Sequence, residues 1–414
     1  MNTSSSNNSS CHSNRLLIVA IAAYMLFLMP PNIVVACGNY DILYFFRLAQ
    51  YACVAVAFAA YLIRGRHTSF SVLVLLYAVF GLVTTVVGGG PFLGGVRSLL
   101  PTVAAILMAY SLAEKYRAEL LRGVLYICSL LTLVNVVVTL IVPIGTPLLH
   151  ELSTTTFLGN RNSFSRYYLS ALFASALLDY PNGRFASPRT IAVLVLSVVQ
   201  SILAFSSTSF VELVFVVVGY FIIRNQRLRQ VSTASTYAVI YLAFFFLFVV
   251  FRVQGAFSFV IEGVFGKRLD FSGRTDIWDR AIGAMDGEHL LLGYYKGHST
   301  PLGLVLGDPC WTAHNAILDL LVWGGVIGLA LFFGFVGIVC WRLYKTREMR
   351  LSAIYSLSLG ANFIGGLMES IMFPYFGFFL GLACADPLLA SNGDPHRRGQ
   401  APINNKRKMS RKVP

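Results

Sequence analysis

Phe70-Ser71-Val72-Leu73-Val74-Leu75-Leu76-Tyr77-Ala78-Val79-Phe80-Gly81-Leu82-Val83 decides the class of this chain, because it runs through most of a bilayer core without one charged side chain. A hydrocarbon core roughly 30 Å thick needs about 20 apolar residues per helical span. Working outward, comparable segments begin near Leu16, Ile42, Val96, Leu121, Phe164, Ile191, Phe210, Tyr237, Asn315, Leu351 and Ile371. Composition agrees, since 56% apolar and 12% charged residues over 414 positions do not make a water-soluble globule. The sequence therefore predicts an all-α polytopic membrane protein with about twelve transmembrane helices. Ile191 to Phe205 and Phe210 to Ile223 are short for full spans, and Ser206-Ser207-Thr208-Ser209 between them suggests a hairpin turning at the outer interface.

Orientation follows from the cations, because short loops rich in Lys and Arg stay cytoplasmic. Arg64/Arg66, Lys115/Arg117/Arg122, Arg184/Arg189, Arg224/Arg227/Arg229 and Arg342/Lys345/Arg347/Arg350 mark the inner loops, while the short outer loops are nearly bare of positive charge. Both termini are then cytoplasmic. The expected organisation is a disordered Ser/Asn-rich leader over 1–15, spans over 16–251, a large extracytoplasmic loop over 252–313, further spans over 314–389, and a basic tail over 390–414. The formal charge of +14 is mostly this topological signal, with attraction to membrane lipids as a second consequence. No nucleic-acid binding is read from it. Seven cysteines show neither metal nor redox spacing, so no cofactor is expected; Cys310 is alone in the long loop.

Ionisable groups near the membrane are costly and tend to face a cavity or a partner. Four of them, Arg47, Arg97, Arg161 and Arg166, fall on the outer side, where together they favour a shared anionic ligand. Arg97 follows the Gly88-Gly89-Gly90-Pro91 and Gly94-Gly95 turns, where backbone can approach a head group. Asn160-Arg161-Asn162-Ser163 precedes an apolar helix that Asn162 or Ser163 would cap, and Arg161 there could fork onto a pyrophosphate. The alternative is a plain cap and turn.

In the long loop, Thr275 to Met285 places Ile277, Trp278, Ala281, Ile282 and Met285 on one helical face, the pattern of an interfacial amphipathic helix. Ser272 or Thr275 would cap it, with Arg274 at its start. Trp278 reads as packing. Asp276 and Asp279 have the spacing of a solvated first turn as much as of a metal pair, and a metal-free site in which arginines carry phosphate charge is the preferred reading. Ala313-His314-Asn315 then stands at the mouth of the next apolar segment, with Asp319 one turn further. A histidine there can take a proton from a sugar hydroxyl; Asp319 could orient its ring or instead pair with a membrane arginine. Glu212 and Glu369 lie in or beside apolar segments without an assigned role.

Taken in order, Gly159-Asn160-Arg161-Asn162, Ser272-Gly273-Arg274-Thr275-Asp276-Ile277-Trp278, Glu288-His289-Leu290-Leu291-Leu292-Gly293, Ala313-His314-Asn315 and Trp323-Gly324-Gly325-Val326-Ile327-Gly328 resemble the O-antigen ligase and polymerase superfamily. The resemblance covers roughly Phe157 to Leu331. It implies a bacterial cytoplasmic-membrane enzyme acting on the outer face, with an undecaprenyl-pyrophosphate-linked oligosaccharide as donor and a glycan as acceptor, alongside other polysaccharide-assembly proteins. It also implies an inverting, metal-independent transfer with His314 as base and Arg161 and Arg274 on the pyrophosphate; Arg97 and Arg166, from their outer-side placement, would add charge there. Asn160, Asn162, Asn315, Asp319 and Trp278 would support them. The ligase branch usually carries a serine-arginine pair where this chain has Ser206-Ser207-Thr208-Ser209-Phe210. Its absence tilts the expectation towards the polymerase branch, which joins repeat units. A lipid-linked-glycan flippase is the rival from another class, although no internal repeat is visible; a scaffold without chemistry is the third reading.

Overall fold

The computed structural model describes residues 5–142, 155–184, 186–259, 263, 273–294, 303, 305–307 and 312–391. Ser272, His298, Cys310, Trp311 and the basic tail from 392 onwards lie outside the described residues. The apolar segments form α1 (Ser5–Leu28), α2 (Tyr40–Arg64), α3 (Ser69–Val87), α4 (Phe92–Ile141), α5 (Ser165–Asp179), α6 (Pro188–Ala204), α7 (Ser207–Ile222) and α8 (Ala234–Phe245). After the polar region come α9 (Arg274–Gly283), α10 (Gly287–Leu292), α11 (Ala316–Lys345), α12 (Arg350–Gly365) and α13 (Pro374–Ala385). The architecture is all-α, and among the described residues α2, α3, α4 and α11 are long and apolar enough to cross a membrane. The other apolar stretches, among them Ser13–Leu28 of α1, are shorter.

Two boundaries differ from expectation. α1 begins at Ser5, inside the leader expected to be disordered, so the helix of the first apolar segment propagates back through polar residues. The segments near Val96 and Leu121 share one 50-residue helix, because no Gly or Pro separates them at the basic stretch; the break there is a single non-helical residue, Tyr116. Lys115 and Arg64 lie over the Tyr116 ring at 5.0 and 5.6 Å, an aromatic and cationic pairing suited to a membrane interface.

The first half of α4 is the axis of the molecule. Val103, Ala104, Ala105, Leu107 and Ala109 are fully buried, as befits a helix that is apolar all round. α13 can lie directly against it because Gly377 and Gly381, four residues apart, carry no side chain: a Cβ at Gly377 would stand 2.7 Å from the Thr102 carbonyl oxygen, and one at Gly381 would collide with that of Ile106. Small residues at this spacing let helix backbones meet in a membrane, where van der Waals packing replaces the hydrophobic drive.

Two irregular features bring the polar segments to one end. A two-stranded hairpin, β1 (Thr155–Thr156) with β2 (Gly159–Asn160), is tied to α4 by Asn135, whose Oδ1 accepts from Thr156 Oγ1 at 2.8 Å and Leu158 N at 3.0 Å. Its Nδ2 donates to Gln200 Oε1 of α6 at 3.0 Å. Farther along, α11 breaks at Gly325 (φ 58). A Cβ there would strike the Leu291 backbone, and Tyr294 N donates to the Val322 carbonyl at 2.6 Å. The end of α10 thus sits in the notch of α11, and two motifs more than 30 residues apart in sequence make one joint.

Candidate functional site

The site is assembled around the joint between α9, the start of α11 and the segment linking α12 to α13. Asn315 caps α11, its Oδ1 accepting from the backbone of Ile317 and Leu318 while its Nδ2 donates to the Leu367 carbonyl at 3.1 Å. Just before it, Ala313 is gripped from both sides. Its N–H donates to Asp319 Oδ1 at 2.6 Å, and its carbonyl accepts from the Trp278 indole at 3.0 Å. Trp278 is fully buried and Arg252 lies over its ring at 5.2 Å. Between these two fixed residues His314 adopts φ 50, a left-handed conformation that non-glycine residues adopt rarely and that surrounding contacts must impose.

Its imidazole faces Glu369. His314 Nδ1 lies 3.3 Å from Glu369 Oε2, and the other carboxylate oxygen, Oε1, accepts from Arg274 Nη2 at 2.7 Å and from Asn162 Nδ2 at 3.0 Å. Asn162 in turn accepts from the Ser206 hydroxyl at 2.8 Å. Arg166 donates to the carbonyl of the next residue, Ser370, at 3.1 Å, and rests 4.9 Å from the Phe373 ring. One carboxylate therefore gathers Asn162 from the turn before α5, Arg274 at the start of α9 and His314 just ahead of α11. The side chains of Glu369 and Arg274 are only 14% and 17% exposed, whereas that of His314 keeps 32% of its surface.

Electrostatics follow from this packing. Burial pushes the Glu369 carboxyl up, but the His314 hydrogen bond and the charges of His314, Arg274 and Arg166 outweigh it and hold the group below the usual carboxylate range. Burial pulls Arg274 down, with Glu369 opposing. The cluster is thus an ionised carboxylate among cations. Behind it, a small cavity of mixed character is lined by Arg166, Glu212, Asn362 and Glu369 on one hand and by Phe173 and Phe376 on the other.

Set against the sequence expectations, the structure brings His314, Arg274, Asn162 and Arg166 together. Arg161 makes no side-chain hydrogen bond or ion pair among the described residues, and Arg97 is exposed near the start of α4 without such a contact to the cluster. Several local expectations change. Asp319 Oδ1 accepts from the Ala313 backbone, and it is Glu369 that faces the His314 ring. Asn160, not Asn162, is the capping residue, accepting from Asn162 N in the short turn Arg161–Ser163. α5 starts after Phe164 with no side-chain cap, which leaves the Asn162 amide free for Ser206 and Glu369. α9 is preceded by Gly273 at φ 84 rather than by a capping side chain. Asp279 is paired with Arg252. Trp278 and Ala281 are buried as the amphipathic pattern required, though Ile282 is exposed.

Long apolar helices with a charge-dense cluster among them point to an integral membrane protein. Residues 192–333 match the family described as O-antigen ligase. That match supports the O-antigen ligase/polymerase superfamily, and with it a glycosyltransferase-like activity on lipid-linked glycans. No curated protein matches the chain. The matched segment contains Ser206, Arg274 and His314 but neither Asn162 nor Glu369. Glu369 is the member that the sequence left without a role.

Proposed function

We propose that this chain polymerises undecaprenyl-pyrophosphate-linked oligosaccharide repeat units by glycosyl transfer at the outer face of the bacterial cytoplasmic membrane, within a bundle of about twelve spans whose termini are both cytoplasmic. The observation that carries the reading is the placement of His314, held by its neighbours in a left-handed conformation with Nδ1 on the same Glu369 carboxylate that pairs with Arg274. The acceptor hydroxyl attacks the anomeric carbon as the bond from that carbon to the pyrophosphate oxygen breaks, with inversion. His314 Nε2 takes the hydroxyl proton, and Glu369 steadies the resulting imidazolium through Nδ1–H. General-base catalysis of this kind contributes roughly 10²- to 10⁴-fold in rate.

The leaving pyrophosphate gathers negative charge, which Arg274 and Arg166 would meet, with Arg161 on the adjoining turn as a further cation. Guanidinium serves this better than ammonium because its planar fork contacts two oxygens at once. Arginines carry the phosphate charge, and no metal is invoked. Anchoring both glycans in one membrane plane limits the orientations that must be sampled.

The alternative is a ligase that hands finished glycan to a different acceptor; the description of the matched family favours it, while the lack of an arginine in Ser206 to Phe210 favours the polymerase. Purified chain in proteoliposomes, given lipid-linked repeat units alone, separates them. A ladder of longer lipid-linked products supports polymerisation. No elongation without a second, non-identical acceptor supports the ligase.

A further inference from the structure

We infer that Ser206 and Asn162 form a positioning strut whose task is to keep the Glu369 carboxylate divided between Arg274 and His314. The inference rests on the glycosyl-transfer reading above. An arginine beside a carboxylate favours two parallel hydrogen bonds, one to each oxygen. Here Arg274 donates from Nη2 to Oε1, while Oε2 is turned to His314. Something must oppose the two-oxygen pairing, and Asn162 does so by donating to the same Oε1 from another direction at 3.0 Å.

The orientation of that amide is fixed by chemistry. An ionised carboxylate only accepts, so the Asn162 group facing Glu369 must be the NH₂, and its oxygen must then turn away. That oxygen accepts from the Ser206 hydroxyl at 2.8 Å. The same Ser206 oxygen accepts from Ser209 N at 3.3 Å as the cap of α7, so its one proton is committed to Asn162. The polar turn between α6 and α7 thus gains a role at the site: the hydroxyl at Ser206 aims an amide that aims a carboxylate.

The test uses the full chain in proteoliposomes with lipid-linked glycan extracted from cells lacking it. Asn162→Ala lowers kcat about 10-fold with little change in KM for the lipid-linked donor, as loss of a hydrogen bond to a charged group allows. Asn162→Asp keeps the shape but turns a carboxylate on Glu369, and falls below Asn162→Ala. Ser206→Ala loses activity that Ser206→Thr largely restores. In a Glu369→Gln background Asn162→Ala costs less than about twofold, because residues acting through one group are not additive. Asp at 162 matching or exceeding Ala, or an Asn162→Ala loss that persists undiminished beside Glu369→Gln, overturns the strut. Folding is read separately from detergent-solubilised protein by size exclusion, and the isosteric Asp variant stands in if Ala fails there. A wild-type chain that transfers no glycan overturns the functional reading, and the strut with it.

Discussion

Replacing Glu369 by Gln changes one oxygen for an NH₂ and should nevertheless remove most of the activity. Arg274 and Asn162 both donate to Oε1, so the amide oxygen of the variant must face them. The NH₂ is then turned on His314 Nδ1, which has to accept. A neutral imidazole that accepts at Nδ1 carries its proton on Nε2, and a protonated Nε2 cannot take a proton from an acceptor hydroxyl. The loss expected is that of the general base, about 10²- to 10⁴-fold in kcat, or about 3–5 kcal/mol in the barrier at 1.36 kcal/mol per tenfold. Donor KM should change less, since Arg274 keeps an oxygen partner and is released from a competing anion. The assay is initial-rate transfer in proteoliposomes, with kcat and KM for lipid-linked donor measured separately. A Glu369→Gln variant within threefold of wild type in kcat would refute the assignment of Glu369 to the His314 ring.

Three further outcomes follow from the same contacts. Arg274→Lys keeps the charge but not the fork, and activity in the transfer assay should fall at least about 10-fold; full activity would count against an arginine clamp. Trp278→Phe removes the indole donor to the Ala313 carbonyl, and thermal unfolding should show a loss of about 1–3 kcal/mol for the unsatisfied group, with a smaller drop in rate than at Glu369. Because the folded Glu369 carboxyl lies below its ordinary value of 4.5, its contribution to stability is complete above that value and is lost as pH falls through the lowered one. The thermal stability of Glu369→Gln should therefore decline less steeply on acidification from pH 5 than that of wild type, as scanning fluorimetry would show; parallel curves would contradict the ionised cluster.

What the sequence made legible was whatever is written locally. Apolar runs announced the helices, and His314 could be singled out because a histidine beside a capping Asn at the mouth of an apolar run is a local pattern. Arg274 was legible in the same way, at the start of an amphipathic turn. Glu369 was not, since it lies 55 residues beyond His314 in a linking segment with no periodicity, and its meaning arises only when α12 and α13 bring it back to α11. Asp319 shows the converse: nearness in sequence points to the imidazole, and the turn of the chain at Ala313 presents a backbone N–H to its carboxylate. Arg97 drew attention through its flexible glycine-rich approach, but its exposed position near the start of α4 gives it no contact with the cluster. The role of Ser206 depends on a hydrogen bond across 44 residues, which no spacing rule foresees.

The central claim is that His314 performs glycan assembly on lipid carriers, and the length distribution of undecaprenyl-linked glycans in cells tests it most directly. Cells lacking the chain, and cells carrying His314→Ala at normal abundance, should both accumulate single repeat units, while the wild-type gene restores long polymer. Long polymer in the His314→Ala cells, indistinguishable from wild type, would contradict the account.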